Sequence, residues 1–346
     1  MRQQNSDLPR QEFGTASAWA VAVTIPARNE AKRIVPCLEA AATSLKGRGG
    51  IVLAVNKSAD ETVARARAWF EASGATGMIL NEQSPPPGRG VGRARRQAVA
   101  ACAHRLVPGA VIMTTDADSR VAGDWVDANL AELTRADLVC GAVLPDAEEF
   151  AKLPATIGRR GVLEGEYMAL TLAVRQRLDP VPHDPEPTHL NAAGASLAFT
   201  TDVYRDIGGI SDFETGEDRA FVLAAERRGW RIRHSARAHV ITTCRLNGRT
   251  SGGMAGALRA RITEADPFVD ELLEPAVQTI LRARMQGSIR RRCNDGLEFG
   301  EALAQMEEST AELARSRLRL SDLHRELPLL AAAFAELEPV AERKSA

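Results

Sequence analysis

The sequence carries almost no net charge: 44 Lys and Arg stand against 45 Asp and Glu in 346 residues, a formal charge of -1. That balance excludes a protein that holds nucleic acid through bulk positive charge, and no nucleic-acid partner is expected. Long apolar runs are also missing. Stretches such as Ile51 to Val55 and Ala110 to Met113 fall far short of the roughly 20 residues a membrane-spanning helix needs. No transmembrane segment is therefore expected. Residues Met1 to Thr15 are polar, mixed in charge and without the apolar stretch of a secretion signal, which predicts a cytoplasmic protein. The five cysteines, Cys37, Cys102, Cys140, Cys244 and Cys293, are scattered and never form a CxxC pair. They predict reduced structural thiols, and argue against a zinc site or a disulfide framework.

What is present is a globular composition, 45% hydrophobic and 26% charged, enough for one large core and a smaller appendage. From Ala18 short β-rich apolar runs alternate with longer amphipathic stretches, the pattern of an α/β protein with a mostly parallel sheet flanked by helices. Strands are expected at Val21–Ile25, Ile51–Val55, Met78–Leu80, Val111–Thr115, Leu138–Leu144 and Ser196–Phe199, with two short ones flanking Ala236. Helices are expected at Ala31–Leu45, Glu61–Ala72, Val91–Leu106, after Gly123, at Thr156–Leu178 and after Gly216. Prolines at 180, 182, 185 and 187 exclude regular structure from Asp179 to His189, and loops of this length are often functional. Past Gly253 only helical patterning remains. The chain thus divides into a tail (1–17), an α/β domain (18–252) and a helical C-terminal extension (253–346). Met306, Leu313, Leu320 and Leu327 recur every seven residues, but the companion positions Thr310, Arg317 and His324 are polar. An amphipathic helix lying on the main domain is favoured over a dimerising coiled coil. Oligomeric state stays open, a dimer included. Arg282, Arg284, Arg290, Arg291 and Arg292 read as a solvated helix face.

The segment richest in chemistry is Val111-Ile-Met-Thr-Thr-Asp116-Ala-Asp118, an apolar strand ending in two carboxylates one residue apart. In an open α/β sheet ligands bind at the carboxyl ends of strands. An Asp-x-Asp there suits Mg²⁺ or Mn²⁺, which take a few carboxylates, water and substrate phosphates. The alternative is a pair that only caps the next helix. Pro26-Ala27-Arg28-Asn29-Glu30 and Asn56-Lys57-Ser58-Ala59-Asp60 follow the first two strands directly, so three strand ends describe one polar site. Gly88-Arg89-Gly90-Val91-Gly92 follows three prolines and not a strand, which argues against a dinucleotide fingerprint. Its glycines suit close approach of a diphosphate to a helix start, with Arg93 or Arg95 nearby. Glu217 and Asp218 open a helix, where acids are favoured by the dipole. The small residues of Asn191-Ala-Ala-Gly194-Ala195-Ser196 would let an acceptor lie beside that helix start, within reach of a carboxylate base.

Taken in order, Val23 to Glu30, Asn56 to Thr62, Gly88 to Gln97, Asp116-Ala-Asp118, Asn191 to Ala195 and Gly216-Glu217-Asp218 resemble a bacterial family-2 glycosyltransferase of the GT-A fold. The resemblance covers roughly residues 20–249. It implies transfer of a sugar from a nucleotide-diphosphate sugar with a divalent metal, Mn²⁺ or Mg²⁺. By similarity Asp118 is the main metal ligand and Asp116 contacts the donor's sugar or ribose, close to the metal. Pro26, Ala27, Arg28 and Glu30 match the loop that holds the nucleotide, Arg95 the basic residue near the donor, and Gly194 the small-residue stretch of the donor site. Asp218, with Glu217 beside it, matches the catalytic base of inverting members.

Asn56 stands where the family often has an Asp, and His239 or His234 would complete the metal site of some members, although Thr242 aligns near that position. The run Ile241 to Arg245 with Asn247-Gly-Arg249 resembles a basic stretch on the acceptor side. A QxxRW motif is absent and no membrane helices follow, which favours transfer of a single sugar over polymer synthesis. Two rival readings remain. A sugar-phosphate nucleotidyltransferase should carry a GxGxR/K loop where Pro26 to Glu30 stands, and a non-catalytic nucleotide-sugar or glycan-binding protein has no need of a base at Asp218. The Glu217-Asp218 pair favours inversion over retention. The acceptor, whether small molecule, glycan or lipid-linked, stays open. Arg160, Glu164 and Tyr167 on the long helix, and His183, Asp184 and His189 in the proline run, are candidates to line its pocket.

Overall fold

The computed structural model describes residues 9–15, 18–83, 90–248 and 253–337. Their strands are β1 (Arg10–Phe13), β2 (Trp19–Ala27), β3 (Gly49–Asn56), β4 (Gly77–Glu82), β5 (Leu106–Thr114), β6 (Ser119–Val121), β7 (Leu138–Pro145), β8 (Leu197–Thr200) and β9 (Ile232–Thr242). They form one sheet in the order β1-β4-β3-β2-β5-β8-β7-β9-β6. Strands β4, β3, β2 and β5 run parallel, with Val23 beside Ile51 on one side and Met113 on the other. Parallel strands covered by helices are buried on both faces and read as continuous apolar runs. All of β3 is buried, as is β2 apart from Ala20. Shared polarity brings the ends of β2, β3 and β5 to one edge, which is where the polar clusters lie.

Two strands went unsignalled because they are short and charged. Arg10–Phe13, in the segment expected to be a tail, pairs antiparallel with β4, and Ser119–Val121 pairs with β9. The two strands expected around Ala236 are one strand. Its pairing with β7 shifts between Gly141 and Val143, and an irregularity of that kind breaks the apolar alternation.

The helices are α1 (Ile34–Leu45), α2 (Thr62–Ser73), α3 (Val91–Cys102), α4 (Trp125–Glu132), α5 (Ala147–Ala151), α6 (Ala155–Leu178), α7 (Thr201–Ile207), α8 (Glu217–Arg227), α9 (Met254–Thr263), α10 (Ala276–Arg290), α11 (Gly296–Ser309) and α12 (Leu323–Leu337). Ile34, Leu38 and Trp125 of α1 and α4 pack with Ile25 and Leu53 in the main core. On the other face Ala94 and Ala98 of α3 meet Val52 and Met78, and Phe221 of α8 meets Ile112 and Phe199. The C-terminal helices α10 and α12 pack on α6. Tyr167 and Val174 of α6 share a core with Ala276, Leu323 and Leu330.

The seven-residue ladder is split between helices, because α11 ends at Ser309 and α12 starts at Leu323. Two of the arginines expected on a solvated face are instead paired with acids, Arg282 buried and Arg290 half-buried. Arg282 is buried and bidentate on Glu274 at 2.9 Å, while Arg290 pairs with Asp179 at 2.7 Å and stacks 4.0 Å over the Phe299 ring. No helix among the described residues is long and apolar enough to cross a membrane.

Candidate active site

The loops after β2 and β3 are stitched together by their own polar groups. Asn29, at a left-handed φ of 54°, has a side chain suited to that conformation. Its N–H donates to Ser58 Oγ and its Oδ1 accepts from the Ala59 N–H, each at 2.8 Å. The Glu30 N–H donates to Thr62 Oγ1 at 2.8 Å and that of Ala31 to Asp60 Oδ2 at 3.0 Å. These bonds fix one wall of a cavity of about 560 Å³, on which Lys32, Arg33, Arg65 and Arg245 place cationic groups. Pro26 and Ala27 are buried at the end of β2 and Arg28 is exposed beside them. Asn56 ends β3 buried, with an Oδ1 that has no hydrogen-bond partner among the described residues.

A single arginine joins the strand ends to the helix start. Arg95 lies in the first turns of α3 and is 3% exposed. Its guanidinium donates to Glu217 Oε1 at 2.9 Å, Asp116 Oδ1 at 2.5 Å and the Gly194 carbonyl at 2.7 Å, and also to Thr114 Oγ1. A Cβ at Gly194 would stand 2.4 Å from Arg95 Nη2, so any larger residue would push the guanidinium out of this junction. Gly92 has a comparable role, because a Cβ would meet the Ser211 carbonyl at 2.3 Å. That contact seats the loop before α8 against the start of α3.

The two acids opening α8 differ in setting. Glu217 is 2% exposed and committed to Arg95. Burial raises its carboxyl above the usual range, Arg95 opposes that and Asp218 adds to it. Asp218 is only half-buried; its Oδ2 accepts the Gly194 N–H at 2.7 Å and its Oδ1 the Arg219 N–H at 2.8 Å. Each oxygen keeps a further lone pair, so Asp218 is the acid of the pair able to meet an acceptor hydroxyl.

Asp118 faces a different cation. Arg245, just beyond β9, pairs with it at 2.8 Å and with Glu30 at 2.6 Å. Burial and the neighbouring Asp116 push the Asp118 carboxyl up to about 6; Arg245 opposes this and Glu30 adds to it. The chain around Arg245 is anchored in turn, since Glu149 accepts from the Cys244 N–H at 2.8 Å and from the Thr243 hydroxyl. Among the described residues no group of three or more His, Cys, Asp or Glu side chains is placed to hold a metal unaided. Asp116 and Asp118 are each held by an arginine, Arg95 at 2.5 Å and Arg245 at 2.8 Å, and two carboxylates are the donor type that Mg²⁺ or Mn²⁺ takes. His239 stands apart from this pair, half-buried on β9 with Nδ1 3.3 Å from the Arg237 carbonyl. Thr242 is the β9 residue that meets Ser119, hydroxyl to hydroxyl at 3.0 Å.

The remaining candidates lie elsewhere. Tyr167 is buried and donates to the Glu274 carbonyl at 2.8 Å, Glu164 pairs with Arg261 at 2.6 Å, and Arg160 binds the Glu264 and Ala265 carbonyls. They fasten α6 to the C-terminal helices. His183, Asp184 and His189 line a second cavity beyond the far end of α8. His234 joins them there, its Nδ1 2.9 Å from Asp184 Oδ2. Arg249 and Ser84 to Arg89 fall outside the described residues. The pairing of Arg245 with both Glu30 and Asp118 had no local signal, because 215 residues separate Arg245 from Glu30.

Residues 22–184 match the family model for Glycosyl transferase family 2. No curated protein sequence matches significantly. Among solved structures, the fold is similar to a mannosyltransferase of Pyrobaculum calidifontis in complex with GDP-Man and Mn²⁺, at 17% identity and TM-score 0.48, covering 99% of this chain and 80% of that one. It is also similar to TarS residues 1–349 of S. aureus in complex with UDP, at 11% identity and TM-score 0.46 over 85% and 73% of the two chains. A third similarity is to glucosyl-3-phosphoglycerate synthase of Mycobacterium tuberculosis in complex with Mn²⁺, UDP and phosphoglyceric acid, at 18% identity and TM-score 0.42 over 70% and 76%.

Proposed function

Starting from residues 22–184 as a family-2 glycosyltransferase segment, we propose that the enzyme moves one sugar from a nucleoside diphosphate to an acceptor hydroxyl with inversion and with a divalent cation. The observation that carries this reading is the Arg95 junction, which ties Asp116 to Glu217 and to Gly194, the hydrogen-bond partner of Asp218. It brings a donor-side acid pair and an acceptor-side base candidate into one framework.

In this reading the nucleotide lies over the loops after β2 and β3. The buried Asn56 Oδ1, without a partner among the described residues, would accept a nucleobase N–H, which removes the cost of an orphaned acceptor. Lys32, Arg33 and Arg65 line the same cavity and would balance the diphosphate. Asp118 and Asp116 would hold Mn²⁺ or Mg²⁺, with Arg245 leaving Asp118 and keeping Glu30. When bound, the ion neutralises charge on the departing diphosphate. Asp218, oriented by the Gly194 and Arg219 N–H groups, takes the acceptor's proton as its oxygen attacks the anomeric carbon from the opposite side. Glu217 holds Arg95 in place and does not touch the acceptor. His239, on the outer part of β9, is not needed in this ligand set.

The test is thermal stability with UDP, GDP or dTDP, each with and without Mn²⁺, for wild type and Asp118→Ala. Ligand at about 100 times its Kd adds roughly 2.7 kcal/mol, a shift of several degrees. A metal-dependent shift with one nucleoside diphosphate, lost in the variant, is expected. Absence of any shift with all three, or a shift that survives in the variant, would overturn the donor and metal assignments respectively.

A further inference from the structure

The second cavity, of about 380 Å³, is walled by the end of α6, the proline run, the turn after α8 and the junction of α10 and α11. Its wall residue Glu226 is nine residues along α8 from Glu217, about 14 Å by helical rise. It is therefore separate from the acidic centre. The wall is stiffened by charges already matched. Asp179 is bidentate with Arg290 at 2.7 and 3.0 Å, and Asp184 takes Arg233 at 2.9 Å and His234 at 2.9 Å.

One half-buried cation on this wall has no ion-pair partner among the described residues, although Glu226, on the same wall, is the acid that acts on it most strongly. Among the described residues Arg175, in the last turn of α6, makes no side-chain hydrogen bond and no ion pair. Burial holds its pKa below the ordinary arginine value against the pull of Glu226, Glu274 and Asp179, with Arg315 adding to the burial effect. Glu274 is bidentate with Arg282 and Asp179 is held by Arg290. Gln286 lines the same cavity, 6% exposed, with a side-chain amide that has no partner among the described residues. His183 adds a ring whose pKa is lowered by burial and by Arg290. An arginine that lines a cavity without an ion-pair partner matches a phosphate or carboxylate.

We propose that this cavity binds a small anionic molecule, its phosphate or carboxylate group seated on Arg175 and its remaining polar atoms on Gln286 and His183. The site would be formed before the ligand arrives, because its flanking ion pairs do not involve Arg175.

The experiment measures thermal stability and calorimetric binding with inorganic phosphate and, separately, succinate, on the full chain. Three proteins are compared: wild type, Arg175→Met, and Arg245→Gln, whose change lies in the first cavity. Wild type and Arg245→Gln should be stabilised by at least one anion, and the more effective one tells phosphate from carboxylate. Arg175→Met should lose that response and bind at least roughly tenfold more weakly, as expected for a charged hydrogen bond. Without anion it should unfold at a temperature close to that of wild type, since Arg175 is half-buried and makes no ion pair among the described residues. If Arg175→Met folds poorly, Arg175→Gln takes its place. A wild type that responds to neither anion overturns the proposal, and so does a response equal in all variants, the mark of general salting-out. A response lost only in Arg245→Gln would assign the anion to the first cavity and overturn the proposal equally.

Discussion

Replacing Arg95 by methionine removes the guanidinium that joins Asp116, Glu217 and Gly194, while keeping a side chain of similar length. Glu217 would be left 2% exposed beside Asp218 without its counter-charge. Breaking a buried pair from one side costs about 3–5 kcal/mol. At roughly 2–4 °C per kcal/mol this lowers Tm by roughly 6–20 °C. Asp116 contributes little, because its side chain is 36% exposed and screened. The loss should depend on pH with a definite sign. Burial already raises the Glu217 carboxyl, and Arg95 is the group opposing that. Without Arg95 the folded-state pKa rises further above the unfolded value. The folded protein then binds the proton more tightly, so stability falls as pH rises from the ordinary glutamate value through the raised one. The deficit of the variant should be largest near neutrality and shrink on acidification. Urea unfolding of Arg95→Met, Glu217→Gln and the double variant checks both points, and the double variant should lose less than the sum of the singles. Strict additivity, or a single-variant loss under about 1 kcal/mol, would mean that Arg95 does not tie the strand ends to α8.

Asp218→Asn should leave nucleoside diphosphate affinity unchanged while lowering kcat by roughly 10²–10⁴-fold, the usual range for a general base. A wild-type rate in single-turnover assays would move the base elsewhere. Gly194→Ala forces a Cβ to within 2.4 Å of Arg95 Nη2, and should cost about 1–3 kcal/mol in denaturant titration together with a fall in turnover; a neutral outcome refutes the close approach. At Asp184, burial raises the carboxyl but hydrogen bonds and charge from His234 and Arg233 outweigh it, leaving a value of about 2 against an ordinary 3.8. A depressed acid contributes stability above its unfolded pKa that is lost as pH falls through the folded one. Asp184→Asn should therefore be less stable than wild type at neutral pH and approach it between about pH 4 and pH 2, as followed by circular dichroism.

The parallel half of the sheet was legible because its strands are apolar on both faces, and Val21–Ile25 and Ile51–Val55 sit inside β2 and β3. Strands of three or four residues such as Arg10–Phe13 carry too little pattern, and their pairing is decided by neighbours far along the chain. That the polar clusters after β2, β3 and β5 share one sheet edge was legible for the same topological reason. Their partners were not. Arg95 appears locally as one of several arginines at a helix start, and only packing between α3 and α8 places it under Asp116. Arg282 and Arg290 were misread for the same cause, since the acids that pair with them, Glu274 and Asp179, are fixed by tertiary contact and not by helical spacing.

The family match ends at residue 184, short of Gly194, Glu217 and Asp218, so the proposed role of these three rests on the structure and not on the match. Hydrogen bonds nevertheless join the matched stretch to these residues. Arg95 lies inside the matched stretch, yet two of its four acceptors, the Gly194 carbonyl and Glu217, lie outside it. Gly194 passes the connection on through its N–H to Asp218. A carboxylate held at both oxygens by backbone N–H groups has its orientation set by the chain and not by its own rotamer freedom. Because one of those groups belongs to the residue that Arg95 grips, a shift of Asp116 on donor binding would be felt at Asp218 through two hydrogen bonds and one buried guanidinium. On the proposed roles, a substitution at Arg95 should disturb donor binding and turnover together, whereas one at Asp218 should disturb turnover alone.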